Sequence, residues 1–136
     1  RQMCIRDRVL TPHPGEAAEM LKVTTKEIQK NRIKSAKELQ KKYGCIIVLK
    51  GNGTIICNKN DVYLCSYGGP ELAVAGSGDI LSGVIGSLIA QGLTPFDAAK
   101  TGVVIHALAG EEFAKDVGKI GLAAGELIPY IRKFLN

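Results

Sequence analysis

A chain of 136 residues that is 46% hydrophobic and 23% charged has the makeup of one modest globular domain, and no apolar run in it reaches the roughly 18 residues needed to span a bilayer. Its net charge is +5, with seven basic residues between Lys26 and Lys42 against only Glu27 and Glu38; no aromatics are interleaved there for base stacking, so the run reads as a solvated helix face and not as a nucleic-acid footprint. Cys4, Cys45, Cys57 and Cys65 lack CxxC spacing, which argues against a zinc site and predicts buried free thiols in a cytoplasmic protein.

Residues 1–8 carry neither strand alternation nor a helical stripe, and nothing like the apolar core of a secretory signal; they are expected to be a non-native scar. Val9-Leu10 reads as the stub of a buried strand, so the domain is expected to be cut on its N-terminal side. Thr11-Pro12-His13-Pro14 breaks that strand, because proline disfavours helix in the residue before it. Pro14 then opens a helix to about Leu21, with Glu16 near its positive end. Thr24 and Glu27 form a capping box, and the helix they open is expected to run to Gly44, burying Ile28, Ile33, Ala36 and Leu39. The continuously apolar Cys45–Leu49 predicts a central parallel strand covered on both faces. Two short strands, 54–57 and 62–65, form a hairpin around Asn58-Lys59-Asn60-Asp61. Beyond a glycine-rich loop, an apolar helix is expected from about Asp79 to Gln91. Thr94 caps the next helix and Pro95 starts it; it runs to about Asp116. A last helix covers roughly Ala123 to Leu135, with Pro129 bending or restarting it. Strands alternating with helices predict a three-layer α/β/α sandwich.

The strongest chemical signal is Gly76-Ser77-Gly78-Asp79 at the mouth of an apolar helix. Glycines let a backbone approach phosphate closely, and the free N–H groups of a helix start bind its charge. A carboxylate there repels phosphate, so Asp79 points to a base that takes a proton from an attacking hydroxyl; the plainer alternative is a helix cap. Lys50-Gly51-Asn52-Gly53-Thr54 leaves the carboxyl end of a strand, where ligands of open α/β sheets gather. Lys50 can pair with a phosphate and Thr54 can donate a hydroxyl, or the segment is an ordinary hairpin turn. Neither GxxxxGK[ST] nor GxGxxG is present. His13, between two prolines, reads as a stiff, exposed turn residue, and His106, amid Val103, Val104, Ile105 and Leu108, as a packed or interface histidine. Two histidines and scattered carboxylates make no metal-ligand spacing.

Taken together and in this order, Thr11-Pro12-His13-Pro14-Gly15-Glu16, Lys50-Gly51-Asn52-Gly53-Thr54 and Ala75-Gly76-Ser77-Gly78-Asp79-Ile80-Leu81-Ser82-Gly83 resemble the NAD(P)H-hydrate dehydratase family. Gln91-Gly92-Leu93, the His106–Gly110 stretch and Gly121–Ala124 fit it too, so the resemblance covers residues 9–136, the C-terminal half of that family's domain. It implies a ribokinase-like fold and a nucleotide-repair lyase. Such an enzyme dehydrates the S-form of hydrated NADH or NADPH at the expense of ADP, cleaved to AMP and phosphate, or of ATP. It also implies a Mg2+ requirement and a homotetramer; the composition leads us to expect no nucleic-acid or membrane partner. By position, the resemblance makes Asp79 the catalytic base and sets His13 and Asp79 on the hydrated dinucleotide. It gives the nucleotide to Lys50, Gly51, Asn52, Gly53 and Thr54, and to Gly69, Ala75, Gly76, Ser77 and Gly78. The family's usual Met-Ala-Thr before GSGD is replaced here by residues ending in Val74-Ala75, with Glu71 among them. Two rivals stand beside it: a small-molecule kinase of the same fold that stops at the phosphate ester, and an inactive nucleotide-binding fragment.

Overall fold

The computed structural model of the chain describes residues 8–68, 76–118 and 124–135. Along the chain come β1 (Val9–Leu10), α1 (Pro14–Leu21), α2 (Thr25–Lys30), α3 (Arg32–Tyr43) and the strands β2 (Ile46–Leu49), β3 (Thr54–Cys57) and β4 (Val62–Cys65). They are followed by α4 (Ser77–Ala90), α5 (Pro95–Asp116), a 3-10 turn (Ala124–Leu127) and α6 (Ile128–Leu135).

The four strands form one sheet in the order β1-β2-β3-β4. β2 runs parallel to β1, with Val9 opposite Ile46, and antiparallel to β3, with Val48 opposite Ile56. The expectation of a central parallel strand is thus corrected to a mixed one. Only Lys50–Gly53 separates β2 from β3, far too short for the crossover that a parallel return requires, so β3 must come back antiparallel. β4 closes the hairpin at the edge, where Val62, Tyr63 and Leu64 are exposed.

Strand alternation divides the core in two. Ile47, Leu49, Ile55 and Cys57 pack with Ile28, Ala36 and Leu39 of α2 and α3, together with Ala17 of α1. Val48, Ile56 and Cys65 face the other way, onto Leu81 and Ile85 of α4, Val103 of α5 and Ile131 of α6. The result is the expected three-layer α/β/α sandwich. Helices α4 and α5 approach closely because residue 102 is glycine: a Cβ there would lie 2.8 Å from Ile85 Cγ1. Phe113 and Tyr130 meet edge-to-face, at 5.6 Å between centroids, and dock α6 on α5.

Two local expectations change. The helix opened by the Thr24–Glu27 capping box stops at Asn31, whose backbone leaves helical geometry (φ −146°, ψ 75°), and α3 starts afresh at Arg32. Asparagine is a poor interior helix residue and a ready cap, and the restart turns Ile33 outward, where it is 48% exposed instead of buried. Cys57 and Cys65 are buried free thiols, but Cys45 is disulfide-bonded. Cys45 lies at the entry to β2, where the next residue's N–H reaches back to the Arg8 carbonyl (3.1 Å), so it adjoins the start of β1. Pro129 restarts a helix after the 3-10 turn, as expected.

Candidate nucleotide and substrate site

β1 and β2 run parallel, so their carboxyl ends deliver Thr11–Pro14 and Lys50–Gly53 to the same rim of the sheet. The Lys50 N–H donates to the Pro12 carbonyl at 3.0 Å, which ties the two segments together. His13 caps α1 in a full capping box: its Nδ1 accepts from the Glu16 N–H, and the Glu16 carboxylate accepts from the His13 N–H. Nδ1 is thus committed to the cap, Nε2 lies 3.7 Å from Glu16 Oε1, and the residue lines the cavity described below. Thr11 Oγ1 lies 3.4 Å from Ser82 Oγ, which draws this segment onto the first turns of α4.

Helix α4 begins at Ser77 behind Gly76, which takes a left-handed conformation (φ 86°) and offers no side-chain cap. Gly76 puts no side chain over the opening N–H groups of α4, and a helix start suits an anion because it presents partial positive charge. Lys50 brings a full one. A Cβ on Gly78 would sit 2.7 Å from Lys50 Nζ, so the ammonium lies directly against the helix mouth. Gly51 (φ 148°) and Gly53 (φ 81°) make the turn that carries Lys50 there, and Thr54 Oγ1 donates back to the Gly51 carbonyl at 3.3 Å.

These groups line a cavity of about 640 Å³, which extends from His13 past Lys50 to an apolar wall of Leu81, Val103 and Ala107. The volume and the mixture of apolar wall with a few convergent polar groups suit a nucleotide-sized ligand. At its back His106 is buried, with Nε2 3.0 Å from Ser77 Oγ. Burial pushes its pKa down to about 4, against a hydrogen bond with the Ser77 backbone that acts to raise it, and the nearby Lys50 charge adds to the lowering. His106 is packed, as its sequence setting suggests, and it is also a neutral polar group in the cavity wall, which that setting did not show.

Lys50, Gly51, Asn52, Gly53, Thr54, Ser77, Gly78 and His13 thus converge on one cavity, with Gly76 at the helix mouth. Asp79 follows directly but is exposed and does not line the cavity. Gly69 and Ala75, with Glu71, lie outside the described residues. Sequence reasoning missed His106 and Arg32. The Arg32 guanidinium reaches from α3 to the carbonyls of Leu49, Lys50 and Gly53. Among the described residues no three His, Cys, Asp or Glu side chains cluster as metal ligands, and no helix is long and apolar enough to cross a membrane.

A family model for NAD(P)H-hydrate dehydratase matches residues 3–133. The chain belongs to the NAD(P)H-hydrate dehydratase family. It is 44% identical over 131 residues to the bifunctional NAD(P)H-hydrate repair enzyme Nnr of Coxiella burnetii, covering 96% of this chain and 27% of that protein. It is 38% identical over 133 residues to the ADP-dependent (S)-NAD(P)H-hydrate dehydratase of Neisseria meningitidis, covering 96% of this chain and 45% of that one. The crystal structure of the ADP/ATP-dependent NAD(P)H-hydrate dehydratase of Bacillus subtilis, co-crystallised with ATP/Mg2+, superposes with a TM-score of 0.89 at 34% identity, over 93% of this chain and 46% of that one. The chain thus spans between a quarter and a half of these dehydratase relatives, and its fold is ribokinase-like like theirs.

Proposed function

We propose that the protein dehydrates the S-form of hydrated NADH and NADPH, spending ADP or ATP, and that residues 9–136 supply the C-terminal half of the domain that does so. The observation that carries this reading is the meeting of the Lys50 ammonium and glycine 78 at the uncapped start of α4, beside the Thr11–Pro14 segment. Such a site is built to hold a polyphosphate next to a second ligand.

In this reading Lys50 and the first N–H groups of α4 hold the terminal phosphates, and Gly51–Thr54 and Gly76–Gly78 let the backbone close on them. Gly69 and Ala75 belong to the same binding segment. His13 and Asp79 face the hydrated nicotinamide. Asp79 accepts the proton of the ring hydroxyl as its oxygen attacks the terminal phosphorus. The bond from that phosphorus to the nucleotide's bridging oxygen breaks, and AMP leaves when the donor is ADP. The ring ester then loses phosphate through C–O cleavage together with a ring proton, which restores the double bond. Lys50 and the helix start stabilise the charge that gathers on the phosphoryl oxygens.

Magnesium fits this site through the nucleotide, since it is commonly held by phosphate oxygens and water with few protein ligands, and it neutralises phosphate charge when bound. We further assign the protein to the cytoplasm, where pyridine nucleotides are pooled, and to a homotetramer. Incubating the full-length protein with hydrated NADH plus ADP or ATP tests the reading: NADH absorbance returns. A phosphorylated product that accumulates with no return of absorbance would make the protein a kinase instead.

A further inference from the structure

We infer that Arg32 is a positioning residue that shapes the Lys50–Thr54 segment for nucleotide binding. This rests on the reading of that segment as the nucleotide loop. The guanidinium sits in the first turn of α3 and does not line the cavity, so it grips the loop from behind. Nη2 donates to the Gly53 carbonyl at 2.9 Å and to the Leu49 carbonyl at 3.4 Å; Nη1 donates to the Lys50 carbonyl at 3.4 Å. One planar fork therefore spans the loop from the residue before it to its far end. Nη1 also donates to Gln29 Oε1 at 2.9 Å, which steadies the fork from α2.

Three further observations separate this arrangement from a chance contact. Among the described residues all four of its acceptors are neutral oxygens, although burial already costs the cation and lowers its pKa from the usual value. Gly51 is fitted to the fork, since a Cβ there would lie 2.6 Å from Nη1. The helix break at Asn31 is what places Arg32 at a helix start facing the loop. The chemical consequence follows from the peptide plane. A trans peptide points its N–H away from its C=O, so the Lys50 carbonyl held on the guanidinium turns the Gly51 N–H to the opposite side, where the cavity lies. Arg32 thus presents backbone donors and the Lys50 side chain to phosphate without touching it.

The test uses the full-length protein and the variants Arg32→Gln, Arg32→Lys and Gly51→Ala. Calorimetric titration with ADP and with ATP gives binding, and steady-state assays give KM for the nucleotide and for hydrated NADH separately. Losing these charge-assisted bonds in Arg32→Gln is expected to weaken nucleotide binding by about tenfold or more, with the KM for hydrated NADH within about twofold of wild type. Arg32→Lys falls between, because one ammonium cannot span the loop. Gly51→Ala reproduces the loss with the charge retained. A folded Arg32→Gln or Arg32→Lys protein with wild-type nucleotide affinity overturns the inference, as does equal loss for both substrates. Wild-type protein that binds nucleotide but never regenerates NADH sinks the dehydratase reading and leaves the Arg32 inference standing.

Discussion

Asp79 and His106 illustrate two ways in which a single side chain can serve the site. Asp79→Asn keeps the size of the side chain and its capping ability, so the fold should persist. It cannot accept a proton, and general-base catalysis is typically worth about 100- to 10,000-fold, so turnover should fall within that range. Nucleotide affinity should hold or rise, because a negative charge leaves the neighbourhood of the phosphates. Rate and affinity measured on one preparation decide it, and turnover above about a tenth of wild type would remove Asp79 from the base role. His106 makes a prediction about stability. Its pKa in the fold is about 4, against 6.5 for the free side chain. Between those values the unfolded chain binds a proton that the folded one does not, so stability falls as pH drops from 6.5 towards 4 and is unaffected by this group above 6.5. The loss approaches about 3 kcal/mol at the acid end. Urea unfolding of wild type and His106→Gln at several pH values should show a shallower acid decline in the variant; parallel declines would contradict it. The sequence could not reveal His106 as a cavity residue, since its neighbours Val103, Ile105 and Leu108 are what any buried helix face carries. Only the arrival of Ser77, 29 residues away in the chain, makes it part of the site.

At the level of elements, legibility followed the reach of the signal. Thr94-Pro95 marked the start of α5 because cap and first position are local chemistry, and the helix begins at Pro95. The Thr24–Glu27 and Pro14 starts were readable for the same reason. The break at Asn31 was missed because helical periodicity continues weakly through it. Its trace in the sequence is an asparagine followed by an isoleucine that no longer points inward. The direction of β3 was also illegible from the apolar run alone; the four-residue connection held the answer. The α4–α5 crossing yields a prediction. Alanine at position 102 gains about 1 kcal/mol in helix propensity, but its Cβ would meet Ile85 Cγ1 at 2.8 Å in a filled core. Overpacking of that kind costs about 1–3 kcal/mol, so Gly102→Ala should be destabilised by about 1 kcal/mol net. A denaturant midpoint equal to or above wild type would show that Ile85 moves aside freely.

For the molecule as a whole, the cavity and most of the proposed nucleotide contacts are present, yet the dehydratase relatives extend well beyond the stretch that aligns. β1 has two residues and a single described sheet partner, β2. Since the chain spans less than half of those relatives, we propose that residues 1–136 alone turn over hydrated NADH poorly or not at all. Full turnover by the monomeric chain alone would refute this. The three-layer architecture was readable from alternating strands and helices, while the assembly of the cavity from His13, Lys50–Thr54, Ser77 and Gly78 depended on the resemblance of their combined motifs. The short link between β2 and β3 has one more consequence. Because Lys50–Gly53 is the turn of a paired hairpin, both of its ends are anchored in the sheet, and it cannot swing like a hinged flap. Its ordering cost is met when the chain folds and not when the ligand arrives. Nucleotide should then associate at a rate governed by encounter and charge, without a slow rearrangement, and changes in this turn should register mainly as faster departure.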